Sequence, residues 1–200
     1  MKNLVLNIAF ATITLTACNN SSNKSTISEK NNSNSLDKSQ TEYINDSTSS
    51  AEVAKKTVSI TAIINDYLQM KNAFTEDNTN GAAAAGNTLE TAFKNFDKSV
   101  LTMPQKKSFE DIVGDAKEHA EHIGKNGGNI KHQREHLALL SKDIYDLIKA
   151  FGNEQVLYKD FDPMVNKGKG AFWISETKEI KNPYMGKANL NSGTVKEIIK

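Results

Sequence analysis

Only one cysteine, Cys18, occurs in the 200 residues, so the chain has no disulfide framework and its folded part no thiolate ligand. An excess of charge of one sign is missing too. The 25 Lys and Arg against 24 Asp and Glu leave a formal net charge of +1, without the basic footprint that nucleic-acid binding requires. The short basic clusters at Lys106-Lys107 and around Lys167 and Lys169 carry no interleaved aromatic platform and read as solvated surface. Mean hydropathy is −0.54, and beyond the N-terminus no apolar run is long enough to span a bilayer. Also absent are a G-x-S-x-G elbow, a Gly-rich phosphate loop after a strand and an H-E-x-x-H helix. With no cysteine nucleophile besides, no enzyme is expected.

What is present begins with "MKNLVLNIAFATITLTACNN": a lysine at position 2, an apolar run from Leu4 to Leu15, and small residues before Cys18. This is the layout of a secretory signal peptide over 1–17. The stretch Leu15-Thr16-Ala17-Cys18 resembles a bacterial lipobox, which implies cleavage before Cys18 and lipid attachment to it. Residues 18–50 are dominated by Ser and Asn. That composition cannot bury enough apolar surface to offset chain entropy, so a disordered tether is expected.

From residue 51 a helical period sets in. Ile60, Ile63, Ile64, Tyr67, Leu68, Lys71 and Phe74 follow the i, i+3, i+4, i+7 rule, with the Lys71 stem at the stripe's edge, and predict a helix over 53–75. Leu89, Ala92, Phe93 and Phe96 define a second over 82–98, with Gly86 unfavourable inside it. Pro104 suits the first position of a third helix, whose stripe is Phe109, Ile112, Val113, Ala116, Ala120 and Ile123. Glycines at 124, 127 and 128 stop it, and Leu137, Leu140, Ile144, Leu147 and Phe151 mark a fourth helix over 129–151. Short links between four such helices predict a mainly α fold, an up-and-down four-helix bundle. From residue 153 the strand-like runs "VLYKDF" and "AFWIS" predict a small C-terminal β-hairpin or irregular lobe, anchored to the helices by Trp173. Asp160 and Asp162 form a close carboxylate pair that reads as solvated on a lysine-rich loop.

The runs "YLQMKNAF", "HQREHLALLSKDIYDLIKAFG", "FDPM", "GKGAFWIS" and "EIKNPYMG" resemble the domain-of-unknown-function family three-three-four-seven. That family occurs as bacterial lipoproteins and as the C-terminal appendage of periplasmic adaptor subunits of copper and other heavy-metal efflux pumps. The resemblance implies a setting of metal homeostasis at the cell envelope, with an efflux adaptor as partner. In the family, the segment matching "FDPM" reads Cys-Pro-Met and the one matching "NLNSG" reads Met-x-x-Cys-Gly, which together make a soft site suited to Cu(I). Here the matching positions are Asp162, Met164, Asn189 and Ser192, so only the Met164 thioether is kept. A lone thioether is a weak ligand, and a Cu(I) site of the family type is not expected.

All four histidines, His119, His122, His132 and His136, lie within 25 residues of one another. At 100° per residue, His119 falls roughly 65° and His122 roughly 125° from the centre of the third helix's apolar stripe, and His136 and His132 roughly 60° and 100° from that of the fourth. An antiparallel hairpin sets His122 opposite His132 and His119 opposite His136. Two readings stay open: ordinary boundary histidines of a bundle, or a metal site with Glu118, Glu121 and Glu135 beside it, suited to Cu(II), Zn(II) or Ni(II). The candidate ligands are thus His119, His122, His132, His136 and Met164, with copper or zinc as the ion. The chain as a whole reads as a lipid-anchored accessory on the periplasmic side of the envelope, most simply at the outer membrane, with no nucleic-acid partner. The alternative is a non-metal module that docks on another envelope protein.

Overall fold

Each of the four helical periods becomes a helix, three of them started by a side-chain cap and the first starting after Ile60 without one. In the computed structural model, which describes residues 58–200, these are α1 (Thr61–Thr75), α2 (Thr79–Asn95), α3 (Met103–Lys125) and α4 (Ile130–Phe151). The expected signal peptide and tether, with Cys18, lie outside the described residues, as do positions 53–57 of the first expected helix. The Asn78 side chain accepts from Gly81 N–H at 2.8 Å, which starts α2 three residues before its apolar stripe suggests. Thr102 and Gln105 form a reciprocal capping box at α3, and Pro104 sits at the second helical position rather than the first. Asn129 caps α4, and Gly152, at φ +81°, ends it.

Consecutive helices pack side by side around one core of Ile63, Ile64, Leu89, Phe93, Phe109, Ala120, Ile123, Leu137, Leu140, Ile144 and Leu147. Gly86, which lowers helix propensity, is required here: a Cβ would lie 2.9 Å from both Ala120 O and Gly124 N, so only glycine lets α2 approach α3 this closely. None of the helices among the described residues is long and apolar enough to cross a membrane.

The C-terminal lobe is a three-stranded antiparallel sheet, with β1 (Leu157–Asp162) between β2 (Ala171–Ser175) and β3 (Thr194–Ile199). β1 and β2 are the two expected strand runs. β3 escapes the sequence reading because it is an edge strand whose residues are exposed or part-exposed, with only Ile199 buried. β2 lies against α4 and α1, and Trp173, fully buried, is a central part of the lobe's packing. A chain of buried hydroxyls pins the two parts together. Ile174 N–H donates to Tyr67 Oη (3.2 Å), which lies 2.8 Å from Ser141 Oγ, and Ser141 Oγ donates to Leu137 O (2.7 Å). Burial pushes the Tyr67 phenol up to about 12, so it stays protonated and available as a donor. Tyr67→Phe is expected to lower stability by about 1–2 kcal/mol in urea denaturation, because Ile174 N–H then has no buried acceptor.

Two expectations about charge need correction. Lys71 is not an edge residue with a solvated head: it is 1% exposed, and its ammonium donates to Asn72 Oδ1 (2.6 Å) and Glu176 Oε2 (2.8 Å). Asp160 and Asp162 are not solvated on a loop but fully and almost fully buried within β1, because the strand turns both side chains to the same, inward face.

Candidate metal centre

The α3–α4 hairpin carries the four histidines, and buried polar contacts hold its geometry. Gln133, fully buried at the start of α4, donates from Nε2 to Ile123 O on α3 and to Thr79 O on α2, both at 3.0 Å. Its neighbour Arg134 donates to Phe74 O (3.0 Å), Asp77 Oδ1 (2.6 Å) and Pro183 O (2.7 Å). The first half of α4 is therefore tied to α1, α2, α3 and the turn between β2 and β3, with His132 just before these ties and His136 two residues after them.

Both cross-helix pairs expected from an antiparallel hairpin form. The ring centroids of His122 and His132 are 5.9 Å apart and those of His119 and His136 are 5.3 Å apart. The tightest contact is the diagonal between them, His122 stacked on His136 at 4.3 Å, with His132 4.7 Å from His136. One ligand atom from each of His122, His132 and His136 lies within 4.8 Å of the other two. Four tetrahedral ligands at 2.0–2.1 Å from a zinc ion stand roughly 3.4 Å apart, so modest ring rotations close the set onto an ion.

The cluster has a wet and a dry side. His122 and His132 are 43% and 35% exposed at the side chain, while His119 is 17% exposed. Glu118 Oε1 stands 3.8 Å from His122 Nε2 and Glu135 Oε2 3.7 Å from His132 Nδ1. Glu121 faces Lys125 instead. On the dry side His119 Nδ1 lies 3.2 Å from His136 Nδ1. Burial, together with the neighbouring His122, His132 and His119, pushes the His136 imidazole down to about 4, so at neutral pH it is uncharged and offers a lone pair. Burial lowers His119 as well.

Residues 63–156 match the family described as Protein of unknown function (DUF3347). It is the family that the sequence resembles, and the DUF3347 match spans all of α2, α3 and α4 and most of α1, ending just before β1. No curated protein and no solved structure matches the chain.

The lobe beyond the DUF3347 match shows what stands where the resemblance implies a soft metal site. Asp162 and Ser192, at the positions matching the two thiols, do meet: Ser192 Oγ donates to Asp162 Oδ2 at 2.8 Å. Asn182 Nδ2 reaches both, at 2.7 Å and 2.9 Å, while its Oδ1 accepts from Tyr184 N–H and Met185 N–H. This is a closed hydrogen-bond knot that staples the turn after β2 to β1, and it is built of hard oxygen and amide groups that do not suit Cu(I). Met164, two residues past Asp162, is 79% exposed, and its N–H donates to Asp162 Oδ1.

Asp143 escapes the sequence reading. It lies two helical turns after His136 on the same face of α4, a spacing of seven that signals proximity. Its Oδ2 is buried without a hydrogen bond and stands 4.0 Å from His119 Nε2. Burial, with Asp115 and Asp146 nearby, pushes this carboxyl up to about 6 against the opposing effect of Lys142.

Proposed function

We propose that this protein is a non-enzymatic accessory of metal handling at the cell envelope, held to the membrane through a lipid on Cys18, with His122, His132 and His136 as its site for Zn(II) or Cu(II). The observation that carries the metal site is the convergence of three imidazoles from two helices to within 4.8 Å. Three imidazoles gathered on one flank make protonation of the innermost costly, and an ion that takes their lone pairs turns the same cluster into a favourable one. Imidazoles without thiolates select borderline divalent ions over Cu(I). Three protein ligands also leave a coordination position open on the exposed side, which suits an ion that is passed on rather than stored. The lipobox-like stretch supports the anchor, and the family resemblance supports copper-type homeostasis or efflux as the setting, with an efflux adaptor as recipient.

Isothermal titration of the chain with Zn(II), Cu(II) and Cu(I) tests the site. Binding of a divalent ion tighter than about 0.1 mM and in preference to Cu(I) is expected, and weaker binding of all three sinks the reading. One feature favours the rival reading of a docking module. An open cavity of about 320 Å³ runs between α4 and the loops of the lobe, lined in part by Ile130, Ala138, Val165, Tyr184 and Met185. A partner recovered from envelope extracts equally well with and without chelator supports docking over metal handling.

A further inference from the structure

Behind the three converging imidazoles a second row of polar groups runs from α3 back into α4. His119 Nδ1 is 3.2 Å from His136 Nδ1, and His119 Nε2 is 4.0 Å from Asp143 Oδ2, a buried carboxylate oxygen that no other group bonds. The side chains of His119 and Asp143 are 17% and 15% exposed, so this row occupies the dry flank of the cluster.

We propose that Asp143 and His119 are positioning residues that set His136 to ligate the ion through Nε2, a proposal that rests on the metal reading of the cluster. The argument is one of proton placement. Two facing Nδ1 atoms at 3.2 Å cannot both present lone pairs, so one of them carries the proton. If His136 Nδ1–H donates to His119, the neutral His119 ring holds its own proton on Nε2, the atom nearest the Asp143 oxygen. His136 Nε2 is then left as a lone pair for the ion. If the direction is reversed, His119 Nε2 turns a lone pair toward the carboxylate and His136 Nε2 carries a proton where the metal should bind. Only the first direction satisfies Asp143 and the ion together, with each donor followed by an acceptor along the whole row. The 4.0 Å gap is about 1 Å beyond a hydrogen bond, a distance that rotation of the His119 ring closes as His136 settles on the ion. Partners of this kind hold a ligating ring in one tautomer and orientation, and removing them typically weakens metal affinity about 10–100-fold.

Two measurements on the full chain decide it. In the Zn(II)-loaded protein, long-range proton–nitrogen correlation of labelled imidazoles is expected to show His136 protonated at Nδ1 and metal-bound at Nε2. Asp143→Asn, whose amide can turn an N–H toward His119 and favour the reversed direction, is expected to weaken Zn(II) binding about 10–100-fold with the circular dichroism of the fold unchanged. His119→Gln should do the same, and the double variant should lose little more than either single one, because the two act in series. Wild-type binding through His136 Nδ1, or an Asp143→Asn affinity within about twofold of wild type, overturns the positioning proposal and leaves the metal site standing. Failure of the wild-type chain to bind Zn(II) overturns both.

Discussion

Replacing His136 with alanine is expected to weaken Zn(II) binding by on the order of 100-fold or more, a larger loss than any change behind it, because a ligand is removed rather than misaimed. His136 is the hub of the cluster: it stacks on His122 at 4.3 Å, lies 4.7 Å from His132 and contacts His119 through Nδ1. With it gone, the two remaining imidazoles sit at the more exposed positions, 5.9 Å apart. A thermal melt gives an independent reading. An ion that binds only the folded state stabilises it by about 2.7 kcal/mol at 100 times its dissociation constant, which for a domain of this size raises Tm by roughly 5–10 °C. That rise is expected for wild type and expected to vanish for His136→Ala. If instead the variant's melt responds to Zn(II) as wild type does, the ion binds elsewhere on the chain. Without metal the alanine variant should be about as stable as wild type or slightly more so, since it removes imidazole crowding on a part-exposed flank.

The second large effect concerns Asp160. This carboxylate is fully buried in the central strand, and neither of its oxygens nor Trp173 Nε1 completes a well-aligned hydrogen bond. Burial pushes its pKa up to about 7, while the Lys71 ammonium and the Trp173 indole pull it down and Glu176 raises it. A folded-state pKa above the unfolded one means that the folded protein holds the extra proton. The protonated form's stability is fully present below about pH 4 and is lost as pH rises through about 7. Asp160→Asn keeps the shape and removes the charge. Urea denaturation of wild type and variant at pH 5 and pH 8 should show the variant gaining on wild type by roughly 3 kcal/mol across that interval, ending as the more stable protein at pH 8. Equal pH slopes would mean that Asp160 ionises freely in the fold. The neighbouring Lys71–Glu176 pair keeps its own bonds in the variant, so its contribution is not expected to change sign.

Much of the helical framework was legible because each stripe repeats over several turns and three of the four helices start at a side-chain cap. The stripe of α4 is the clearest instance: Leu137, Leu140, Ile144 and Leu147 are all completely buried. Pairing across the hairpin was legible for the same reason, since antiparallel helices joined by a short link oppose residues whose numbers have a constant sum. The stacking of His122 on His136 was not, because the diagonal depends on how the helices cross and on which rotamers the rings take. Lys71 and Asp160 were misread because a charged side chain in an amphipathic pattern is ordinarily a surface group. Their burial follows from the sheet, which covers that side of α1 and brings Glu176 to Lys71.

The sequence by itself therefore determined the number of helices, their core faces, the lone cysteine in its lipobox-like setting and the confinement of every imidazole to one hairpin. These are properties of local period, composition and spacing. Only the tertiary structure decided that three of those imidazoles converge and that His119 and Asp143 stand in a row behind them. Only it decided, too, that Asp162 and Ser192 close on each other through a hydrogen bond. Such contacts join residues far apart in the chain and are set by crossing angles, rotamers and burial, none of which leaves a period in the sequence.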